Sequence, residues 1–224
     1  MFPIVVAIVL TLSAHGQTAA RWARDIDKSS AHLKAGEFDR SLKISERLLR
    51  QMIDELGSGE AATRFFGTAL THKALALAGL GRNEDALWHW HTVLTLYPPF
   101  EKSNLSSFGD AGAFLTANRN PRIPDGFPEE GKRPPDLKPP VVLRKVAPDF
   151  PPGAQYFGAE GLLIVNVIIR TDGTVTAPVV RKALPAPTLS YVALEAIRKW
   201  KFRPAMKSGE PIEVQFDLTL NYKP

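Results

Sequence analysis

The sequence predicts a two-domain protein: an N-terminal all-α domain, then a C-terminal α+β domain in which one helix covers an antiparallel sheet. Three observations carry this prediction. Apolar residues recur at helical spacing from Arg21 to about Phe100. Ten of the nineteen prolines then fall between Pro121 and Pro152. Runs typical of β-strands follow them. At 224 residues the chain is long enough to bury two cores.

The composition is that of a folded protein. Hydrophobic residues make up 44% of the chain and charged residues 23%, close to the averages for soluble domains. The net charge of +5 permits an anionic partner without requiring one. Because there is no cysteine, disulfides, thiolate catalysis and cysteine zinc sites are excluded.

The N-terminus carries a short apolar run, Phe2–Ala14. A membrane span needs about 20 apolar residues, so this run has the length of a secretory signal, with a small-x-small cleavage site at Ala14-His15-Gly16. Residues 1–16 are therefore predicted to be the signal peptide of an exported protein. The run has no Lys or Arg, which leaves open a short uncleaved anchor.

Two segments of the helical region are similar, His32–Leu49 and Ala76–Leu94. Each places a glycine, Gly36 or Gly81, between two apolar helical stretches, and the second segment then reaches Pro98. Alignment on the glycines matches four pairs of positions: Phe38 with Asn83, Ser41 with Ala86, Ser45 with Trp90, and Leu48 with Val93. The region is therefore predicted to contain two related helical hairpins.

This arrangement resembles the tetratricopeptide repeat, a helical hairpin with glycine at the turn, small residues at the helix contact, an aromatic and a closing proline. The glycines lie 45 residues apart (81 minus 36), where the repeat has about 34, so a loop insertion is expected within Asp54–Ala62. The resemblance implies four or five helices, with a short closing helix around Asp110–Asn118. It also implies a concave face that holds a second protein.

The proline-rich stretch, with "KRPPDLKPPVV" at Lys132–Val142, is predicted to be neither helix nor central strand. Proline at this density fixes φ and removes backbone donors, which favours an extended, semi-rigid spacer. The predicted boundaries are 21–120 for the helical domain, 121–148 for the linker and 149–224 for the C-terminal domain.

Two strands open the C-terminal domain. The β-branched run Leu162–Arg170 is followed by Thr171-Asp172-Gly173-Thr174, and Asp-Gly between apolar runs is a strong hairpin signal. The return strand is predicted over Thr174–Ala183. Its Pro178 would break a central ladder and so favours an edge position or a bulge.

A helix and a last strand complete the domain. In "TLSYVALEAIRKW" the apolar residues recur at helical spacing and end at Trp200. The other positions are expected to form a solvated face: Ser190, Tyr191, Glu195, Arg198 and Lys199. In Ile212–Tyr222 apolar and polar residues alternate strictly, which predicts a strand with one face on the helix and one in water.

These residues resemble the C-terminal domain of the TonB energy-transducer family over about residues 141–222. The resemblance rests on an aromatic-Pro start, a glycine that opens a strand, the Asp-Gly hairpin, a Trp-x-Phe-x-Pro segment and the alternating last strand. Phe150 stands where the family usually has tyrosine. The motif residues, read as structural, are Phe150, Pro151, Gly161, Asp172, Gly173, Trp200, Phe202, Pro204 and Gly209.

The resemblance implies a periplasmic domain that receives a short outer-membrane receptor segment, a TonB-box-like peptide, as an added strand. The candidate edge is the last strand, and its expected partner-binding residues are Glu213, Val214, Gln215, Phe216, Asp217, Leu218 and Thr219. TonB proteins carry an N-terminal transmembrane helix, and here a predicted signal peptide and a helical domain take its place. A cleaved signal would make the protein a periplasmic adaptor. Membrane association is expected only if the N-terminus is uncleaved, which would anchor the protein in the inner membrane, facing the periplasm. A homodimer through the last strand is left open.

No enzyme, cofactor or metal site is indicated. His89 and His91 diverge by about 200° on a helix, whereas metal ligands want a spacing of three or four, and no phosphate loop or nucleophile motif is present. Nucleic acid is not expected as a partner, because stacking needs exposed aromatics and Trp200 and Phe202 are predicted to be buried. The alternative function is an envelope scaffold in which the helical domain binds proteins and no energy is transduced.

Overall fold

The computed structural model describes residues 4–55, 60–121, 124, 136–149, 151 and 160–223, with the backbone alone in 4–16 and 60–62. A helical N-terminal region precedes an antiparallel sheet covered by one helix, which confirms the predicted fold class.

Five helices build the N-terminal region. They are α1 (Ile4–Lys34), α2 (Phe38–Asp54), α3 (Glu60–Gly79), α4 (Asn83–Leu96) and α5 (Gly109–Ala117), with single-turn 3-10 helices at Pro98–Lys102 and Ser106–Phe108. The short closing helix expected around Asp110–Asn118 is present as α5. The expected loop insertion falls between α2 and α3, where residues 56–59 lie outside the described residues.

The turns α1–α2 and α3–α4 have the same geometry. Gly36 and Gly81 adopt φ of +72° and +73°. At the first turn the amide of Glu37 donates to the carbonyl of His32, and the second turn repeats this bond. Glycine is favoured there because it adopts positive φ without strain. The last three aligned pairs are buried in both copies: Ser41 and Ala86, Ser45 and Trp90, Leu48 and Val93.

A polar cluster lies inside the helical core. The Ser29 hydroxyl is 2.8 Å from that of Ser41 and 3.1 Å from Nδ1 of His72. All three side chains are buried. Burial lowers the pKa of His72 to about 4, because the charged imidazolium loses its hydration there. His72 is therefore neutral in the folded protein near pH 7.

The C-terminal domain is built on a three-stranded antiparallel sheet in the order β4-β3-β8, with β3 at Gly161–Ile169, β4 at Val175–Lys182 and β8 at Val214–Tyr222. Helix α6 (Pro187–Ile197) covers one face of it. Strands β3 and β8 pair without a break from Gly161 opposite Tyr222 to Ile169 opposite Val214. The β3–β4 register shifts twice, and Ala177 adopts a φ of +50°, so β4 has both the edge position and the bulges that Pro178 favours.

Short strands flank the main sheet. They are β1 (Leu137–Lys138), β2 (Val141–Arg144), β5 (Lys201–Arg203), β6 (Ala205–Lys207) and β7 (Glu210–Ile212). Strand β2 pairs with β5, and β6 lies between β1 and β7. Residues 137–144 were placed in the linker by the sequence prediction, but they form strands on the C-terminal domain. Proline favours an extended backbone, and here the extended segments pair as strands, β1 with β6 and β2 with β5.

The two domains are packed against each other. Helix α4 contacts β4 and α6. Trp88 of α4 is 2% exposed and packs in the C-terminal core, whereas Tyr191 of α6 is 5% exposed and packs in the helical core, with its ring 5.4 Å from that of Phe66.

This packing corrects the prediction of a solvated face on α6. Tyr191 and Ser190 are buried, Glu195 and Arg198 contact the helical domain, and only Lys199 is exposed. The reason is that the helical domain, rather than water, lies beside that face.

Among the described helices, none has both the length and the apolar character that a membrane span requires. Residues 1–3 of the predicted signal peptide lie outside the described residues, and the backbone of residues 4–16 is the first part of α1. Cleavage of residues 1–16 stays a prediction.

Candidate partner-binding strand

Strand β8 is an edge of the main sheet in the part of the chain that the structure describes, since it pairs with β3 on one side only. Its inward side chains Val214, Leu218, Leu220 and Tyr222 are buried against the core under α6, and Phe216 is half-buried there. The alternation predicted for Ile212–Tyr222 is therefore confirmed over β8.

The register identifies the backbone groups that face the open side of β8. The amide of Val180 donates to Oγ1 of Thr95 at 2.8 Å rather than to β3. Val180 and the residue opposite it on β3, Val165, therefore form a non-hydrogen-bonded pair of the antiparallel ladder. The backbone amide and carbonyl of Val165 then point away from β4 and toward β8, where Val165 pairs with Leu218.

Because the direction of the backbone groups alternates along a strand, those of Leu218 point to β3. The groups of its neighbours Asp217 and Thr219 point to the open edge, and the same parity holds for Gln215 and Asn221. An extended peptide beside β8 would meet these four amides and carbonyls.

The side chains at this edge are polar. Glu213, Asp217 and Thr219 are exposed and Gln215 is half-buried. Asp217 accepts a hydrogen bond of 2.7 Å from Nδ2 of Asn166 on β3. The predicted site residues thus separate into two groups. The inward Val214, Phe216 and Leu218 hold β8 on the core, and the polar residues flank the open backbone.

The opposite edge of the sheet is covered. Strand β4 packs against α4, and Thr95 of α4 satisfies the outward amide of Val180. Each sheet edge offers unpaired backbone groups to a partner strand unless something covers it. Among the described residues, α4 covers the β4 side and no strand pairs with the far side of β8.

The Asp-Gly hairpin of the motif is fixed by local contacts. Oδ1 of Asp172 accepts from the amide and the hydroxyl of Thr174, at 2.8 and 2.6 Å, and the hydroxyl bond is the main reason that the pKa of Asp172 is lowered. Gly173 adopts a φ of +76°, and a Cβ there would lie 1.9 Å from the carbonyl oxygen of Phe202. The amide of Phe202 donates to the carbonyl of Gly173 at 3.0 Å, so the hairpin also binds β5.

The remaining motif residues lie in structural positions. Trp200 is buried and donates from Nε1 to the carbonyl of Val146 at 2.9 Å. Phe202 is buried, Pro204 separates β5 from β6, and Gly209 forms the β6–β7 turn with a φ of +90°. Gly161 opens β3, Pro151 is buried, and Phe150 lies outside the described residues.

The sequence analysis missed a charged and aromatic cluster between the domains. Nε1 of Trp88 donates to Glu195 at 2.9 Å, and the Arg198 guanidinium lies 5.7 Å from the centre of the Trp88 ring. Arg198 also pairs with Asp85. Partial burial raises the pKa of Asp85, but hydrogen bonds and charge from Arg82 and Arg198 outweigh it, so the net pKa is lowered. The partners lie more than 100 residues apart, so no local pattern links them.

The two histidines of "WHWH" lie on different sides of α4, and both are buried. Burial first, and the cations Lys73, Arg198 and Arg82 next, hold the pKa of His89 well below its usual range. Its 3.8 Å approach to Glu195 is thus not an ion pair near pH 7. His91 donates from Nε2 to the carbonyl of Asn118 at 3.0 Å. Within the described residues no group of three or more His, Cys, Asp or Glu side chains is placed to hold a metal ion.

Comparison with known proteins places the likeness in the C-terminal domain. Residues 146–224 match the family described as Gram-negative bacterial TonB protein C-terminal. Protein TonB of Vibrio cholerae is 27% identical over 110 residues, 48% of this chain and 45% of that protein. Protein TonB of Pseudomonas aeruginosa is 30% identical over 100 residues, 45% of this chain and 28% of that protein.

A solution NMR structure of the Pseudomonas aeruginosa TonB CTD is 27% identical, with a TM-score of 0.34. The match covers 41% of this chain and 90% of that one. The chain spans less than half the length of the curated relatives it matches. Residues 146–224 thus resemble the TonB C-terminal domain, as the motif residues predict, while residues 1–145 lie outside the family match.

Proposed function

We propose that the C-terminal domain binds an extended segment of an outer-membrane receptor, or of another envelope protein, as an added strand beside β8. The binding would serve TonB-dependent transmembrane transport. The observation that carries the proposal is that, within the residues that the structure describes, the β8 edge is open whereas α4 covers the β4 edge. The TonB resemblance of residues 146–224 supports the choice of partner.

The chemistry of β8 suits a partner that is recognised through its backbone. The amides and carbonyls of Gln215, Asp217, Thr219 and Asn221 would form the new ladder, and their polar side chains would flank it. The inward residues stay in the core, so binding needs no rearrangement of α6. No catalytic step is required of the domain, and the proposed role is non-enzymatic.

The helical domain and the N-terminus complete the proposal. The paired hairpins with the same glycine turn support a tetratricopeptide-like domain that holds a second protein. Residues 1–16 are proposed to direct the protein to the periplasm. Intact mass and fractionation after expression in a Gram-negative host test this. Loss of these residues with release into the soluble periplasm would favour the adaptor role, and an intact, inner-membrane protein would favour direct coupling.

Strand addition is tested by blocking the open edge. The probe is a synthetic peptide covering the periplasm-exposed N-terminal segment of an outer-membrane receptor from the same genome, and binding is followed by fluorescence anisotropy. Thr219→Pro removes an outward amide without breaking a bond to β3, so we expect at least tenfold weaker binding, since about 1.4 kcal/mol corresponds to a factor of ten. Thr219→Ala keeps that amide and should bind as the parent does.

Equal binding by parent and Thr219→Pro, with both variants folded by circular dichroism, would contradict strand addition at β8. A homodimer through the same edge would compete with the peptide. Apparent affinity would then fall as the protein concentration rises, and gel filtration would show the dimer directly.

A further inference from the structure

The three large apolar side chains that are most exposed in the described structure are consecutive. They are Val141, Val142 and Leu143, which are 47%, 38% and 61% exposed, and all belong to β2. The other large apolar side chains of the described residues are less exposed. Apolar surface concentrated in this way marks a contact site more often than chance exposure does.

Cationic side chains surround these residues. Val141 lies opposite Arg203 and Arg144 lies opposite Lys201, so these four side chains share the outward face of the β2–β5 ribbon. The alternate residue of β5, Phe202, is buried on the inner face. We call the outward side chains Val141, Leu143, Arg144, Lys201 and Arg203 the ribbon face.

The sequence around the ribbon face is mostly cationic, although Asp136, Asp149, Glu195 and Glu210 adjoin it. Residues 137–148 and 196–209 together contain eight Lys or Arg and no carboxylate. One of the eight, Arg198, is paired with Asp85 at the domain contact, and Lys145 lies over the Trp200 ring with its ammonium 5.1 Å from the ring centre. The ribbon face therefore combines exposed apolar groups with net positive charge, which the Asp172 carboxylate offsets in part at Lys201, and it fits an anionic partner.

We propose that the ribbon face docks on an anionic phospholipid surface, with Leu143 in the interfacial region and Arg144, Lys201 and Arg203 against lipid phosphates. Unlike an added β-strand, a bilayer surface can contact the ribbon face without a matching strand register. Clustered Lys and Arg gain about 1 kcal/mol each near such a surface. This contact does not depend on the N-terminal residues 1–16 or on strand addition at β8.

Two other occupants fit less well. A second copy of the chain would oppose like charges across the ribbon face. An added strand would meet an edge of four residues whose register shifts between Val142 and Arg144, and short, bulged, cationic edges are those that resist further strand pairing. An acidic protein segment is the alternative that the test must separate.

The position of the ribbon offers an internal control. The ribbon joins the main sheet at the Gly173 hairpin, through the bond from the Phe202 amide to the Gly173 carbonyl. Asn221 is exposed at the other end of the sheet, where its neighbour Tyr222 pairs with Gly161. Because the chain has no cysteine, one introduced cysteine carries one label.

The experiment attaches an environment-sensitive fluorophore to Leu143→Cys or to Asn221→Cys in the full chain. Vesicles of phosphatidylglycerol and phosphatidylcholine in equal parts should shift the emission at position 143 to shorter wavelength and leave position 221 unchanged. Vesicles of phosphatidylcholine alone should shift neither. About 0.5 M salt should reverse the shift, since it shortens the screening length to roughly 4 Å.

Charge reversal tests the basic residues. Adding Lys201→Glu and Arg203→Glu to the labelled chain should weaken vesicle binding at least 30-fold, which is the effect of removing two cations at about 1 kcal/mol each. The milder double variant Lys201→Gln, Arg203→Gln removes the two positive charges without adding negative ones. It replaces the Glu variant if that variant unfolds. A thermal unfolding curve equal to that of the parent shows that the fold is kept.

Two results would overturn the proposal. Vesicle binding with no change at position 143 would assign it to another part of the chain, such as the N-terminus. A shift at position 143 with polyglutamate but not with anionic vesicles would assign the ribbon face to an acidic protein partner.

Discussion

The two edges of the main sheet have opposite surroundings. Strand β4 carries two register shifts, and its outward amide at Val180 is bonded to Thr95 of α4. Strand β8 pairs in unbroken register with β3 and faces no other described element on its far side. The comparison shows that the helical domain does more than precede the C-terminal domain. It covers the β4 edge, and within the described residues the regular strand β8 stays open at the other edge.

The largest expected effect comes from separating α4 from the C-terminal domain. Trp88→Ala removes a buried ring from that core and should cost about 3–5 kcal/mol of the free energy of unfolding, measured with urea. It should also expose β4, so hydrogen exchange there should become faster. Trp88→Phe keeps most of the ring and loses the bond to Glu195, and we expect a smaller loss of about 1 kcal/mol. Equal losses in the two variants would show that ring packing is not what holds α4.

Acid should weaken the helical domain, which covers β4, through the buried His72. Its pKa is about 4 in the folded protein and near 6.5 in the unfolded chain, so the unfolded state takes up the proton first as the pH falls. The stabilisation is complete above pH 6.5 and is lost between pH 6.5 and 4, a total of about 3 kcal/mol. Urea unfolding of the parent and of His72→Gln across this range measures it. If the parent loses no more free energy of unfolding between pH 6.5 and 4 than His72→Gln does, a group other than His72 causes the acid sensitivity.

A smaller effect is expected at the bond between α4 and β4. Thr95→Val keeps the shape of the side chain and leaves the Val180 amide without its acceptor, which should cost about 1–2 kcal/mol. Hydrogen exchange of the Val180 amide should accelerate at least tenfold. Thr95→Ser retains the hydroxyl and should keep most of the protection, and fast exchange in both variants would mean that the methyl group matters more than the hydrogen bond.

The smallest effect is expected on the open side. Asn166→Ala removes the bond to Asp217 on the solvent-facing side of the sheet and should change the free energy of unfolding by about 0.5 kcal/mol. The reason is that β8 is held by its backbone ladder and its inward side chains. A loss above 2 kcal/mol, again from urea unfolding, would show that the polar side of β8 also contributes to the fold.

The local features of the fold could be predicted from the sequence, because their causes lie within a few residues. The strict alternation of apolar and polar residues predicts β8, and Asp172-Gly173 predicts the β3–β4 hairpin. The edge position of β8 is also consistent with its polar outer side chains.

The domain contact could not be predicted in this way. Tyr191, Glu195 and Arg198 have the positions of a solvated helix face, and their partners Phe66, Trp88 and Asp85 lie more than 100 residues earlier in the chain. The strand at Val141–Arg144 was missed because it is short and follows prolines. Its extended backbone becomes a strand only through pairing with β5.

The position of Trp88 makes the domain contact visible in the protein's own ultraviolet emission. The indole bonds to a carboxylate and lies under a guanidinium in the docked state, and separation of the domains would replace both with water. Trp22, Trp90 and Trp200 are buried within single domains, so a chain with Trp88→Phe supplies the background signal. The difference between the two emission spectra then follows docking and release in solution without an added dye.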